Sequence, residues 1–288
     1  NQAMTISPRP ITLAAKALSK FYGDADPSLA AVITVGSLGS VTVSDTLADV
    51  TGTLSRASGE NVGSYNVALG SGVKASNYTI SFASNNQALT ISPRPITLAA
   101  TALSKIYGDA DPTLAVGITS GSLGSVTVSD TLTDVTGTLS RGAGENVGSY
   151  NVALGSGVKA LNYNISFDSN NQAITVEPKS LKLLGQMDFS GQALLDTSKR
   201  TTTLTATNLV SNDTVNLTGF ATLNASSPGQ QEITGFSGLS LNNQNYTLAR
   251  ATGSVKVVAT QPNIDGVLNS NVVKTTIAQQ TSQQTSSV

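Results

Sequence analysis

The 288-residue chain is 39% apolar but only 5% aromatic, and its 16 basic and 17 acidic residues make up just 11% of it. Charge this sparse and balanced lacks the clustered Lys and Arg that nucleic acid or an anionic membrane requires, and no run approaches the roughly 18 apolar residues of a membrane span. With no Cys, His or Trp, the chain has no thiol nucleophile, imidazole acid–base catalyst, Cys/His zinc site or disulfide.

The length favours two to three small cores built from Val, Leu, Ile and Ala, and internal repetition divides the chain further. The opening residues, Gln2-Ala-Met-Thr-Ile-Ser-Pro8, match Gln87-Ala-Leu-Thr-Ile-Ser-Pro93. Residues 1–8 therefore read as the last strand of a preceding repeat, with more repeats expected upstream. Residues 9–93 form one repeat and 94–178 a second. Tyr22-Gly-Asp-Ala-Asp-Pro27 returns as Tyr107 to Pro112, Gly36 to Thr46 as Gly121 to Thr131, and Gly59 to Ala75 as Gly144 to Ala160. Fixed-period identity of this kind marks a tandem array.

Within each repeat the elements are short. Apolar and polar residues alternate around Ile33 and Val35, around Val41 and Val43, then through Tyr65, Val67 and Leu69, through Tyr78, Ile80 and Phe82, and finally through Leu89 and Ile91. Such runs, punctuated by Gly, Asn, Asp and Pro, predict strands with one inward face. The fold class expected is all-β: small antiparallel modules, sandwich-like or β-grasp-like, placed end to end as a rod. Helix is confined to a turn around Pro27 to Ala31. Pro8-Arg9-Pro10 and Pro93-Arg94-Pro95 read as short, semi-rigid joints, with each module about 40 Å long at roughly 3.3 Å per strand residue.

Residues 179–262 read as a divergent third copy. Asn212-Asp-Thr-Val215 stands where Ser44-Asp-Thr-Leu47 did, Gly219 where Gly52 did, and Asn245-Tyr-Thr247 where Asn77-Tyr-Thr79 did, while the Tyr-Gly-Asp motif is lost. Residues 263–288, rich in Asn, Gln, Ser and Thr, read as linker or tail, with an edge strand over Val267 to Ile277 as the alternative.

Four groups of residues invite a chemical reading. Asp24 and Asp26 could offer oxygen ligands to Ca²⁺; alternatively Tyr22 packs into the core while both carboxylates bond turn amides. Arg56 with Glu60, and Arg141 with Glu145, read as structural ion pairs across a hairpin, since no nucleophile accompanies them. Lys20 or Lys105 with Asn61 or Asn77 raises an intramolecular isopeptide bond. Asn77, Asn164, Asn216 and Asn245 begin N-glycosylation patterns, yet Asn162-Tyr-Asn164 breaks the pattern at the position equivalent to Asn77. No catalytic or cofactor-binding residue is assigned, no cofactor is expected, and the binding residues are unknown.

The string Tyr-Gly-Asp-Ala-Asp-Pro, with Asp45-Thr-Leu47, Gly52-Thr-Leu-Ser-Arg56, Gly59-Glu-Asn-Val-Gly63-Ser-Tyr65 and Asn77-Tyr-Thr-Ile80, resembles the MBG domain of the YGX type. The third copy is similar to the related YDG-type repeat without its motif. The resemblance implies arrays in filamentous-haemagglutinin-type surface proteins exported by two-partner secretion, including biofilm-matrix adhesins of the CdrA kind. It implies a secreted, cell-surface location and cell adhesion, with extracellular polysaccharide or another cell surface as partner of the full-length protein. Three functions compete: a non-catalytic spacer, a multivalent glycan-binding array, and a carboxylate-based enzyme, for which nothing arranges the groups. The fragment is expected to be monomeric, bound neither to nucleic acid nor into a membrane.

Overall fold

The computed structural model of the chain describes residues 3–39 and 42–260. The structure is nearly all-β, 44% strand against 6% helix, in many small sheets. Among the described residues no helix is long and apolar enough to cross a membrane. The tail, with its alternative strand at Val267 to Ile277, and Val41 lie outside the described residues.

Contacts divide the chain into two units. The first holds the described residues up to Ser104 with Asp111–Gly144 and Ser149–Thr175; the second holds Lys105–Ala110, Glu145–Gly148 and the described residues from Val176 on.

The first repeat shows the plan. Strands β1 (Arg9–Ala15), β2 (Leu18–Phe21) and β3 (Ala31–Val35) are followed by helix α1 (Leu47–Thr51), then β4 (Ser55–Arg56), β5 (Gly63–Tyr65), β6 (Val67–Ala68), β7 (Tyr78–Phe82) and β8 (Leu89–Ser92). They form two three-stranded sheets, β3-β1-β7 and β2-β8-β5, and the pair β4-β6. The all-β expectation holds, but the sheets are mixed rather than antiparallel. β1 runs antiparallel to β3 and parallel to β7, and β2 runs parallel to β8. A parallel partner requires a long crossover, and the stretch between β1 and β7 supplies it.

Local chemistry explains the other departures from the expected pattern. The alternation through Tyr65, Val67 and Leu69 is not one strand: β5 pairs with β8 while β6 pairs with β4. Val43 lies outside any strand and is exposed. The helix is not at Pro27 to Ala31, where Ala31 instead opens β3; it is α1, whose N-terminus is closed by a capping box. Asp49 N donates to Thr46 Oγ1 at 3.2 Å and Thr46 N donates to Asp49 Oδ2 at 2.9 Å, satisfying two amides that a helix start leaves open. The Pro-Arg-Pro triplets, expected as short semi-rigid joints, lead directly into strands. Arg9 and Pro10 begin β1, and Arg94 and Pro95 begin the strand Arg94–Ala100, where proline is tolerated at a strand's first residues.

In the second repeat, Arg94–Ala100 pairs with Val116–Gly121 and with Tyr163–Phe167 as β1 does with β3 and β7. The third segment keeps this pairing but merges its strands. Lys179–Asp188 runs parallel to Tyr246–Val258, interrupted by a register shift between Ser180 and Lys182, inside one seven-stranded sheet. Two continuous strands there replace the two breaks of the first repeat.

Candidate functional site

The most heavily built feature of the first unit is a tyrosine socket. At the start of Tyr163–Phe167, the Tyr163 hydroxyl donates to Asp130 Oδ2 at 2.9 Å and accepts from Gly124 N at 3.2 Å. Asp130 sits one residue before the Thr131 cap of a second five-residue helix, Leu132–Thr136. The 3-10 turn Ala160–Asn162 delivers Tyr163 from the other side. Into this socket reaches the Tyr-Gly-Asp turn of the first repeat. Tyr22, 1% exposed, meets the Tyr163 ring edge to face at 5.4 Å and 75°, the geometry that aromatic quadrupoles favour. Its core neighbours are Ile91, Ile96, Leu98 and Val135. Tyr22 therefore does pack into a core, but one supplied largely by the following repeat.

Polar contacts lock this tongue. Val126 N donates to Gly23 O at 3.3 Å. Arg94 Nε donates to Tyr22 O at 2.7 Å and the same guanidinium pairs with Asp24. Asn162, 7% exposed, donates to Asn61 Oδ1 at 3.0 Å and accepts from Val62 N at 3.1 Å. Burial and the nearby Asp130 carboxylate push the Tyr22 phenol up to about 12, yet its buried hydroxyl has no hydrogen-bond partner of good geometry.

The second unit contains the same device with different residues. Val210 N donates to the Tyr246 hydroxyl at 2.7 Å, and that hydroxyl donates to Asp213 Oδ2 at 2.8 Å. Tyr107 lies edge to face on Tyr246 at 5.5 Å and donates to the same Asp213 oxygen at 2.8 Å. Asn245 bonds Asn146 Oδ1 and Val147 N, both at 2.9 Å. Burial, with Asp213 beside it, raises Tyr246 to about 12.

The charged residues singled out in the sequence form a cluster at the base of the tongue. The Lys20 ammonium, nearly buried, pairs with Asp26 at 2.7 Å and Glu60 at 2.8 Å, and Arg56 pairs with both carboxylates as well. Arg56 also lies over the Tyr65 ring at 5.4 Å, a cation–π contact. The Arg56–Glu60 ion pair thus exists, within a four-residue network. Arg141 pairs with Asp111 in the first unit and Lys105 with Glu145 in the second, each at 2.6 Å.

Asp24 and Asp26 do not bond turn amides as expected; a neighbouring cation takes each, Arg94 for one, Lys20 and Arg56 for the other. They face different partners. No group of three or more metal-ligating side chains occurs among the described residues. Lys20 Nζ faces carboxylates rather than an Asn, and Asn61 bonds Asn162, so the isopeptide geometry is not assembled. Of the glycosylation positions, Asn77, Asn164 and Asn216 are exposed, and Asn245 is half-buried in its clasp. Phe21, Phe189 and Phe220 are exposed, whereas the seven tyrosines are all buried or half-buried.

The network has a pH signature. Asp26 is held below its ordinary 3.8, chiefly by Arg56 and then Lys20. Burial pushes Glu60 up, but Lys20 and Arg56 outweigh it and leave it below 4.5. Depressed carboxylates stabilise the fold above their unfolded values, and that stability is lost as pH falls through the folded ones. The urea midpoint of the first unit is expected to decline from about pH 4.5 downward. Glu60→Gln should lower the unfolding free energy at neutral pH by on the order of 1 kcal/mol, given partial solvent screening, and flatten the acid limb. An unchanged acid limb in that variant would remove Glu60 from the account.

The sequence foresaw Tyr22, Asp24 and Asp26 but not their use, and it missed Asp130, Arg94 and Asn162 as joint residues. One available signal was the Asn kept at 77, 162 and 245 although the glycosylation pattern around it is broken at 162.

The family model for the MBG domain (YGX type) matches residues 11–90 and again 96–172, more than half the chain, with the third segment outside the match. No curated protein matches the chain. This family is a non-catalytic repeat type, consistent with adhesin-type repeat proteins. With its two matched repeats and their seated Tyr-Gly-Asp turns, the chain belongs to the MBG domain family of the YGX type.

Proposed function

We propose that these repeats are a spacer in a large secreted bacterial surface adhesin, holding a binding region away from the cell for cell–cell or cell–matrix attachment, without catalysis. The observation that carries this reading is the fate of the signature motif. Tyr22 and Tyr107, the residues a ligand site would display, are buried against Tyr163 and Tyr246, so the motif's chemistry is spent on joining repeats. Membership in an adhesin-type repeat family supports the same role.

The competing reading is a repeated glycan platform for exopolysaccharide or mucin. Sugar platforms expose aromatic faces at a regular place, but no tyrosine here is exposed, and the exposed Phe21 is replaced by Ile106 in the second repeat. The test is the immobilised chain against mucin, a glycan panel and bacterial exopolysaccharides. No binding is the expected result; saturable binding that Phe21→Ser or Phe220→Ser abolishes would replace the spacer with a multivalent adhesive surface.

A further inference from the structure

We propose that the head of the first repeat is a docking site for the Tyr-Gly-Asp tongue of another repeat of this family. It carries the same socket as the second repeat. The Tyr78 hydroxyl donates to Asp45 Oδ2 at 2.7 Å and accepts from Gly39 N at 3.1 Å, matching Tyr163, Asp130 and Gly124. There the resident tongue fills the space over the tyrosine; here an open cavity of about 490 Å³ lies in its place, lined by Ile6, Arg9, Val43, Asp45, Asn77 and Tyr78.

The surrounding residues are those that a tongue engages. Arg9 occupies the position of Arg94, which grips Tyr22 and Asp24. Asn77 occupies the position of Asn162 but is exposed, where Asn162 is buried in its clasp on Asn61 and Val62. Ile6 is 84% exposed, whereas its equivalent Ile91, packed in the same cluster as Tyr22, is 1% exposed. An apolar, polar and cationic surface with this arrangement is complementary to a Tyr-Gly-Asp turn flanked by a Glu-Asn-Val loop.

The occupant is not another part of this chain. Tyr22 and Tyr107 are both seated. The corresponding place in the third segment, identified by Phe189 N donating to Val258 O as Tyr22 N does to Ser92 O, carries Phe189-Ser190-Gly191 without the tyrosine. A second copy therefore offers no free Tyr-Gly-Asp turn.

The experiment compares hydrogen exchange in the chain as it stands with a chain carrying one additional in-frame copy of residues 9–93 ahead of residue 9, and with that longer chain bearing Tyr22→Ala in the added copy alone. Tethering supplies a high effective concentration. Exchange at 42–46 and 75–80 is expected to slow at least tenfold in the longer chain, toward the level at 127–131 and 160–165, and to revert with Tyr22→Ala. No slowing, or slowing that survives Tyr22→Ala, overturns the proposal. The inference draws on the array reading only for its source of further repeats. Glycan binding by the chain would defeat the spacer function and leave this result untouched.

Discussion

Tyr22→Ala is expected to cost about 3–5 kcal/mol, the range for removing a buried aromatic side chain and leaving a cavity, and to uncouple the two repeats of the first unit. Tyr22 sits among Ile91, Ile96, Leu98, Val135 and Tyr163, so its loss empties a core contributed by both repeats. In tandem arrays stability is a sum of intrinsic repeat terms and interface terms, and this substitution strikes the interface. Urea unfolding of the first unit should separate from one transition into two; a single transition with an unchanged midpoint would show that Tyr22 is not the coupling residue.

Conservative replacements sharpen the test. The Tyr22 hydroxyl is buried without a partner, so Tyr22→Phe should be neutral or stabilising by up to about 1 kcal/mol, because an unsatisfied buried group is removed. Tyr107 donates to the Asp213 carboxylate, so Tyr107→Phe should cost about 1.5–3 kcal/mol, the worth of a hydrogen bond to a charged group. The two tyrosines occupy equivalent positions and should respond in opposite directions. Alkali tests the same hydroxyl. The fold holds Tyr22 neutral up to about 12 against an ordinary 10.0, so stability is complete below 10 and lost as pH rises from there to about 12. Tyr22→Phe should remove that share of the alkaline loss in the first unit.

Gly23→Ala should break the same joint by a different route. Gly23 has φ +78°, a left-handed conformation that costs an L side chain about 1–2 kcal/mol, and a Cβ there would run into the Gly124 backbone. From the opposite side, a Cβ on Gly124 would stand 2.8 Å from the Gly23 Cα. Neither obstacle is the tip of a flexible side chain, so the tongue must withdraw. The expected loss exceeds the backbone strain alone and should approach that of Tyr22→Ala. Gly191→Ala is the control: its φ is +76° but nothing lies within 4 Å of its Cβ, so only the conformational cost remains. If Gly23→Ala and Gly191→Ala cost the same, the backbone contact at the joint contributes nothing.

The repetition, the all-β character and the family were legible in the residues, because near-identical strings at a constant spacing and period-2 alternation are local properties. The matching of Asp213 to Asp45 and of Tyr246 to Tyr78 was legible too, and the structure gives each pair the same hydrogen bond. The capping box could have been read from Thr46-Leu-Ala-Asp49, whose threonine and acid stand at the required separation.

Strand partners were not legible, since alternation gives a strand's inward face and says nothing of what it pairs with. Hence the parallel pairing of β1 with β7 and the division of Tyr65 from Val67 came only with the tertiary structure. The larger omission concerns destination. Sequence placed Tyr22 in a core, but whose core depends on contacts between residues as far apart as Tyr22 and Tyr163, Asn61 and Asn162, Arg94 and Asp24. Each of these residues looks equally satisfied inside its own repeat or across two. Only the folded chain, by bringing one repeat's turn over the next repeat's tyrosine, turned a repeated motif into a joint.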